Sequence, residues 1–230
     1  KKRMRLVEVE HENTQLFPVR GRSCSTRAMP FLAGKFQSFR DFALADLSMI
    51  YPPRRLEAAH RFAANTLASG VLLNDGNGRF SFRPLPRLAQ IAPGFGVVIT
   101  DADGDLHPDI FLTHNFFSPQ PETGRMDGGL GLLLSGRGDG TFDPVWPAES
   151  GLIVPVDAKS LTSTDLNRDG WLDVVIGCND GPVRCFTRVP EGTKPVTVRL
   201  QGPPGNPTGV GSRITVRFDN GSTQTAETTA

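Results

Sequence analysis

Two nine-residue stretches determine how the rest of the chain is interpreted: Asp101-Ala-Asp103-Gly-Asp105-Leu-His107-Pro-Asp109 (loop 1) and Asp165-Leu-Asn167-Arg-Asp169-Gly-Trp171-Leu-Asp173 (loop 2). Each places an oxygen-bearing side chain at positions 1, 3, 5 and 9. Such clustered oxygens repel one another when they are ionised, and a hard divalent cation such as Ca²⁺ removes the repulsion. Each stretch therefore predicts a calcium loop between two strands.

The predicted ligands are four side chains and one main-chain carbonyl in each loop, because Ca²⁺ takes about six to eight oxygens. In loop 1 they are Asp101, Asp103, Asp105, Asp109 and the carbonyl of His107. In loop 2 they are Asp165, Asn167, Asp169, Asp173 and the carbonyl of Trp171.

The sequence excludes one other interpretation of these loops, an EF-hand, and leaves a second one open. An EF-hand requires an acid at position 12, where this chain has Leu112 and Ile176, and it requires flanking helices. An Asx-rich β-turn without a metal is the second alternative. The presence of two such loops in register with a repeat favours calcium. Gly170 at position 6 predicts a more relaxed backbone in loop 2 than in loop 1, which has Leu106 there.

The loops belong to an internal repeat. Phe80 and Phe142 end two similar Gly-rich segments, and the offset between them nearly equals the offset between Asp101 and Asp165. Short apolar runs bounded by Gly and Asp are typical of strands. They predict strands over 71–74, 97–100, 109–113, 132–135, 161–164 and 172–176.

The segments outside the repeat have other patterns. Apolar residues at helical spacing predict helices over 35–50 and 54–68, separated by two prolines. A linker is expected over 190–195. Period-two alternation then predicts strands over 196–200 and 213–218, with a hairpin turn and a return strand over 223–230.

Composition excludes some function classes. The 25 basic and 24 acidic residues nearly cancel, so no strong field marks a nucleic-acid partner. No run of about eighteen apolar residues is present, which predicts no membrane insertion. No signal peptide is visible at the start of the chain. Cys178 and Cys185 flank a turn, so either a disulfide or two separate thiols is open.

The acidic loops resemble those of FG-GAP/VCBS repeats, whose blades carry Asp-x-Asn/Asp-x-Asp-Gly-x-x-Asp before an apolar strand. Segments 165–176 and 133–142 match this pattern, and segment 196–224 is similar to the start of a UnbV/ASPIC domain. The resemblance implies an all-β fold of β-propeller blades, as a partial propeller, with a short helical insertion and a small C-terminal β segment. It divides the chain into an N-terminal segment with the insertion (1–69), the blades (70–188), and a linker with the beginning of the UnbV/ASPIC-like domain (189–230).

The same resemblance implies a calcium-stabilised, non-catalytic scaffold for binding or adhesion, with a protein or glycan ligand. It implies an extracytoplasmic location: secreted, periplasmic or cell surface. An alternative is a propeller-face hydrolase or lyase acting on polysaccharide, suggested by His107, His114 and Arg125 near acidic residues, although both histidines are expected in exposed loops. A purely structural spacer of a larger secreted protein is a third hypothesis.

Overall fold

The structure is a computed structural model that describes residues 5–120, 122–189 and 195–228. Within these ranges the chain is mostly β, in small antiparallel sheets, and none of the sheets closes into a barrel. The chain divides into two compact units: unit 1 is Lys1–Leu67 with Ser118–Gly124, and unit 2 is Ala68–Phe117 with Arg125–Ala230. The expected predominance of β-structure is confirmed. Most of the linker predicted over 190–195 lies outside the described residues.

Unit 1 combines a hairpin with short helices around a small apolar core. Leu32, Phe42 and Ile50 are buried in that core. Glu122 accepts hydrogen bonds from the main-chain N–H groups of Gly21 and Cys24, which ties segment 118–124 to this unit. The elements are β1 (Val9–Glu12), β2 (Gln15–Pro18), α1 (Arg22–Ala28), α2 (Phe31–Lys35), α3 (Phe39–Ala43), α4 (Leu47–Ile50) and α5 (Pro53–Glu57).

The two long helices predicted in unit 1 are wrong in extent. Side-chain caps divide the first one: Ser38 accepts a hydrogen bond from the N–H of Asp41, and Asp46 accepts one from the N–H of Met49. Each cap starts a new short helix. The second predicted helix ends with α5, because residues such as Phe62 are exposed and find no core to pack against.

Unit 2 contains four antiparallel sheets in its described part. Two are hairpins, β3–β4 and β12–β13, one has the order β5-β6-β7-β8, and one has the order β11-β10-β9. The strands are β3 (Gly70–Asn74), β4 (Phe80–Pro84), β5 (Gly94–Thr100), β6 (Asp109–His114), β7 (Leu132–Gly136), β8 (Phe142–Val145), β9 (Ala158–Thr164), β10 (Asp173–Cys178), β11 (Arg184–Phe186), β12 (Arg213–Arg217) and β13 (Thr223–Glu227); a 3₁₀ helix (Arg87–Gln90) and α6 (Pro147–Ser150) lie between them.

The repeat seen in the sequence is present in the order of the strands. Strands β3, β5 and β6 recur at nearly constant offset as β7, β9 and β10. Loop 1 connects β5 to β6, and loop 2 connects β9 to β10. The six strands predicted in the repeat are confirmed, whereas residues 196–200 form no strand. The hairpin of β12 and β13 is also confirmed, although residues 229–230 lie outside the described ranges.

Two apolar cores pack against the sheets of unit 2 that carry the loops: the first lies on the face of β6 that holds Ile110, and Phe111 on the other face packs against the second. Ile110 and Leu112 in β6 pair with Leu134 and Leu132 in β7, and all four are buried. The equivalent strand β10 contributes Val174 and Ile176 to a second core. Burying each such side chain contributes about 1.5–3 kcal/mol, and this packing fixes the strands from which the loops project.

The cysteines of β10 and β11 are free thiols. Cys185 lies opposite Val175 in the register and is exposed, whereas Cys178 packs against the second core. The two thiols therefore lie on different faces of the sheet, and the disulfide alternative is not realised. Among the described residues, no helix has the length and apolar character that crossing a membrane requires.

Candidate metal centre

Loop 1 brings three carboxylates together. Asp101, Asp103 and Asp109 each offer an oxygen, and these oxygens all lie within 4.8 Å of one another. Two oxygens bound to one Ca²⁺ at about 2.3–2.6 Å lie at most about 5 Å apart. The three side chains therefore have a spacing that fits a single cation. Asp105 lies outside this group: its side chain accepts a hydrogen bond from the N–H of His107 at 2.8 Å.

Asp109 is the buried member of the group, with 1% of its surface exposed. Its two oxygens accept hydrogen bonds from the N–H of Ala102 (2.7 Å) and the N–H of Gly136 in β7 (2.8 Å). Burial raises the pKa of Asp109, the charges of Asp103 and Asp105 raise it further, and the two hydrogen bonds oppose the shift. A bound cation would favour the ionised carboxylate and relieve this repulsion.

Gly136 is required next to loop 1 because the backbones approach closely. A Cβ atom at Gly136 would collide with the main-chain carbonyl of Pro108. Only a glycine lets the N–H of this residue reach Asp109. Strand β7 and loop 1 are thus joined by the hydrogen bond from the N–H of Gly136 to the carboxylate of Asp109.

Several other hydrogen bonds of loop 1 are local. Asp101 accepts hydrogen bonds from the N–H groups of Gly104 (2.7 Å) and Leu106 (3.0 Å), and Asp103 accepts one from Asp105 (3.1 Å). These are the contacts of an Asx-rich turn, so they are compatible with both the calcium prediction and its metal-free alternative. Carboxylate oxygens carry further lone pairs, which leaves them able to bind a cation as well.

Loop 2 repeats this hydrogen-bond pattern in the second copy of the repeat. Asp165 accepts from the N–H groups of Asp169 (3.1 Å) and Gly170 (3.0 Å), and Asp169 accepts from Trp171 (2.8 Å). Asp173, which is 0% exposed, accepts from the N–H of Leu166 (2.8 Å) and from the N–H of Arg188 (3.0 Å). Asp173 thus holds its loop to a neighbouring segment as Asp109 does in loop 1.

Position 3 distinguishes the two loops. Asn167 stands in loop 2 where loop 1 has Asp103, and its amide donates a hydrogen bond to Asp169 at 2.9 Å. Across the described ranges, the acidic side chains of loop 2 form no group of three comparable to that of loop 1. An amide in place of a carboxylate removes one negative charge, so loop 1 has the stronger electrostatic attraction for a cation.

Both loops adopt positive φ angles at positions 4 and 6. In loop 1 these residues are Gly104 (φ 86°) and Leu106 (φ 76°), and in loop 2 they are Arg168 (φ 63°) and Gly170 (φ 93°). Position 6 is left-handed in both loops, a conformation that a glycine adopts without strain. The more relaxed backbone predicted for loop 2 is not confirmed, because each loop places one glycine and one non-glycine residue in the left-handed region.

Three contacts around the loops could not be predicted from the sequence, because they join residues that are far apart in the chain. Gln224 in β13 donates a hydrogen bond from Nε2 to Oδ2 of Asp101 at 2.8 Å. The guanidinium of Arg188 lies 3.6 Å from the ring centroid of Trp171 and donates to the carbonyl of Asp103 at 3.4 Å. Arg188 therefore contacts both loops.

The residues that suggested an enzyme are not arranged as a site. His114 is 1% exposed inside β6, so its expected exposure is wrong, whereas His107 is exposed within loop 1. Burial lowers the pKa of His114, the main chain of Ala89 opposes part of this shift, and neither ring nitrogen makes a hydrogen bond of ordinary geometry within the described residues. Arg125 stacks on the ring of Phe117 at 3.9 Å. The buried imidazole of His114 has no access to a substrate in solution.

Comparison with known proteins gives no assignment for this site. No family model, no curated protein and no solved structure matches the chain. The resemblance to FG-GAP/VCBS repeats therefore rests on the quoted residues alone and stays a prediction, as do the three-part division of the chain and its location.

Proposed function

We propose that this chain is a calcium-stabilised β-propeller scaffold that binds a protein or glycan in an extracytoplasmic space. The proposed blades are the β5-β6-β7-β8 and β9-β10-β11 sheets. Their repeated strand order supports this arrangement. So does the close packing of β5 beside β9, where Gly96 lies against Leu161. Adjacent inner strands of neighbouring blades pack in this way around a propeller axis.

One observation carries the calcium part of the proposal: both loops fold along the same backbone path, and loop 1 gathers three carboxylates in the space of one cation. In loop 1 the ion would be held by Asp101, Asp103 and Asp109, with Asp105 and the carbonyl of His107 as further donors. In loop 2 the corresponding donors are Asp165, Asn167, Asp169, Asp173 and the carbonyl of Trp171. The ion would supply positive charge at the point where two strands meet.

Isothermal titration calorimetry with Ca²⁺ tests this assignment directly. We expect two binding sites in the unaltered chain, loss of one in Asp101→Asn, and loss of the other in Asp165→Asn. Asp139→Asn is the matched control, since the side chain of this exposed turn aspartate accepts its hydrogen bonds from Thr141 and is not a predicted calcium ligand. An absence of binding heat, together with a melting temperature that EDTA leaves unchanged, would contradict the proposal.

The binding role is supported by the absence of an evident catalytic group beside the loops in the described part of the chain. Screening the calcium-loaded protein on glycan and protein arrays tests it. A ligand retained in Ca²⁺ and released by EDTA is the expected result. Arrays without any ligand would favour the spacer hypothesis instead, while the calorimetry would still report on the metal.

A further inference from the structure

The basic residues of unit 1 are concentrated in its helical part, residues 20–61, called the basic segment below. This segment has eight basic side chains and three acidic ones, whereas the whole chain has a net charge of only +1. The rest of the chain is therefore net negative. A local excess of one sign attracts an oppositely charged partner even when the total charge is near zero. The basic residues are Arg20, Arg22, Arg27, Lys35, Arg40, Arg54, Arg55 and Arg61.

The acidic residues of unit 1 leave most of this charge uncompensated. Among the described residues, Arg20 is the one cation of the basic segment that forms an ion pair, with Glu8 at 2.8 Å. The three acids of the segment, Asp41, Asp46 and Glu57, form none with the cations that the structure describes. The other acids of unit 1 lie outside the segment: Glu10, Glu12 and Glu122. The segment thus presents a surplus of positive charge.

Two arginines of the basic segment lie over exposed aromatic rings. The guanidinium of Arg22 lies 5.3 Å from the ring centroid of Phe39, and that of Arg55 lies 5.1 Å from the ring centroid of Phe31. The two phenylalanines are 65% and 47% exposed. Stacking on a ring holds the planar guanidinium in place, while N–H groups at its edge stay available to an acceptor. Large apolar side chains that stay exposed beside charges are typical of an interaction surface.

Phe36 and Lys35 connect these two pairs. Nε of Arg22 donates to the carbonyl of Phe36 at 2.8 Å, and Nζ of Lys35 lies 5.6 Å from the ring centroid of Phe36. Nζ of Lys35 also donates to the carbonyl of Ile50 at 3.2 Å, and an ammonium has further N–H groups. Lys35 follows Phe31 by one turn of α2, so the two project from the same side of that helix. The residues linked in this way are called the basic-aromatic patch: Arg22, Phe31, Lys35, Phe39 and Arg55.

The chemistry of the basic-aromatic patch defines a partner with two properties. Guanidinium groups bind carboxylates through two parallel hydrogen bonds, so the partner has to carry anionic groups. The exposed rings need an apolar surface between those groups. A polymer of uronic acids has both, because each sugar ring carries a carboxylate at its edge and C–H groups on its faces. Duplex DNA would satisfy the arginines through its phosphates, but its bases stay stacked and would leave Phe31 and Phe39 exposed.

We propose that the basic-aromatic patch binds an acidic polysaccharide built from uronic acids. The carboxylates accept hydrogen bonds from Arg22, Lys35 and Arg55, and the sugar rings lie against the two exposed phenylalanines. This inference goes beyond the proposed function, because every residue of the patch belongs to unit 1 and none is a predicted calcium ligand. Binding at the patch therefore needs no calcium.

Binding of the chain to immobilised polygalacturonate in EDTA, followed by biolayer interferometry, tests the proposal. EDTA removes calcium, which would otherwise cross-link the polysaccharide. We expect binding that weakens as salt is added, because salt screens exposed charges. The fully methyl-esterified polymer should bind little, since it has the same rings but no charge. Equal binding of the two polymers, tighter binding of duplex DNA than of polygalacturonate, or no binding at low salt would overturn the proposal.

Arg55→Gln removes one cation of the patch at an exposed position. We expect roughly tenfold weaker binding, which corresponds to the loss of one charge-assisted hydrogen bond. Phe39→Ala should also weaken binding, because it removes an exposed ring. Arg79→Gln is the matched control and should keep the affinity, since it alters an exposed arginine between β3 and β4 in unit 2. Unchanged affinity in both Arg55→Gln and Phe39→Ala would overturn the proposal.

Circular dichroism checks that the variants are folded. If one of them is not, the comparison of polygalacturonate with its methyl ester on the unaltered chain still decides the question. The calorimetry with Ca²⁺ separates this inference from the proposed function. Heat of calcium binding without retention of polygalacturonate would overturn the patch alone, whereas retention without that heat would contradict the calcium-stabilised scaffold alone.

Discussion

Asp109 accepts two main-chain hydrogen bonds at once, from loop 1 and from β7. In Asp109→Ala, the N–H groups of Ala102 and Gly136 lose their acceptor, and leaving such groups unpaired costs about 1–3 kcal/mol. We expect the free energy of unfolding, measured in urea with EDTA present, to fall by about that amount. Asp105→Ala is the control, because Asp105 is exposed and a change there should stay within about 0.5 kcal/mol. Equal losses in the two variants would contradict a structural role for Asp109.

His114 makes stability depend on pH in a predictable direction. Burial lowers its pKa in the folded protein, so the unfolded chain binds the proton more tightly. The contribution of His114 is therefore complete above the unfolded pKa of about 6.5 and is lost as the pH falls from there through the folded pKa. We expect the free energy of unfolding to decrease between pH 7.5 and pH 5.5, by up to about 1.4 kcal/mol for each unit of pKa shift.

His114→Leu removes this titration without adding an unpaired polar group. Its free energy of unfolding should vary less over the same pH range than that of the unaltered chain. His107→Gln serves as the control, since it replaces a histidine that is exposed. A pH profile that is unchanged by His114→Leu would show that other groups control the acid sensitivity.

At the scale of the strands, the repeat supplies an internal comparison between Leu72 in β3 and Leu134 in β7, which occupy equivalent positions. Leu134 is 0% exposed and lies in the first core of unit 2, whereas Leu72 is 66% exposed. We expect Leu134→Ala to lower the free energy of unfolding by about 2–5 kcal/mol, and Leu72→Ala to change it by less than about 1 kcal/mol. Denaturation in urea measures both. A comparable loss at Leu72 would indicate that this face of β3 is covered in solution.

The elements also differ in how well the sequence predicts them. The strands around the loops are predictable because apolar runs such as 109–113 end at Asp and Gly residues that form tight turns. The helices of unit 1 are not, because Ser38 and Asp46 act as caps inside an apolar pattern that extends across both. Residues 196–200 alternate correctly for a strand but have no pairing partner in the described part of the chain. Alternating polar and apolar residues predict which side chains share a face, but a sheet forms only where a neighbouring strand supplies the hydrogen-bond partners.

The residues of the candidate sites also divide into those that the sequence predicts and those that it does not. The positions of Asp101, Asp103 and Asp109 within a nine-residue loop are sufficient to predict that they converge. Asp105 lies outside this group of three, and its predicted role as a ligand stays a prediction. Gln224 could not be predicted as a neighbour of Asp101, since this contact joins residues far apart in the chain.

For the whole molecule, the two units carry different optical probes. Trp146 and Trp171 belong to unit 2, and Tyr51, the single tyrosine, belongs to unit 1. Ca²⁺ at about 100 times its Kd should add about 2.7 kcal/mol of stability per occupied site. We expect the urea midpoint followed by tryptophan fluorescence to rise with Ca²⁺, while the midpoint followed by the near-ultraviolet signal of Tyr51 stays constant. A shift of the Tyr51 signal alone would place the metal outside the acidic loops.

The close approach at Gly136 has a consequence for natural variation. Replacing Gly136 by alanine alters no charge and no candidate ligand, so a comparison of sequences would give no reason to expect a defect. In this fold the added methyl group would push β7 away from Pro108 and remove the N–H that Asp109 accepts. A protein with that exchange would show the same structural defect as one in which Asp109 is replaced, although all of its acidic residues would be intact.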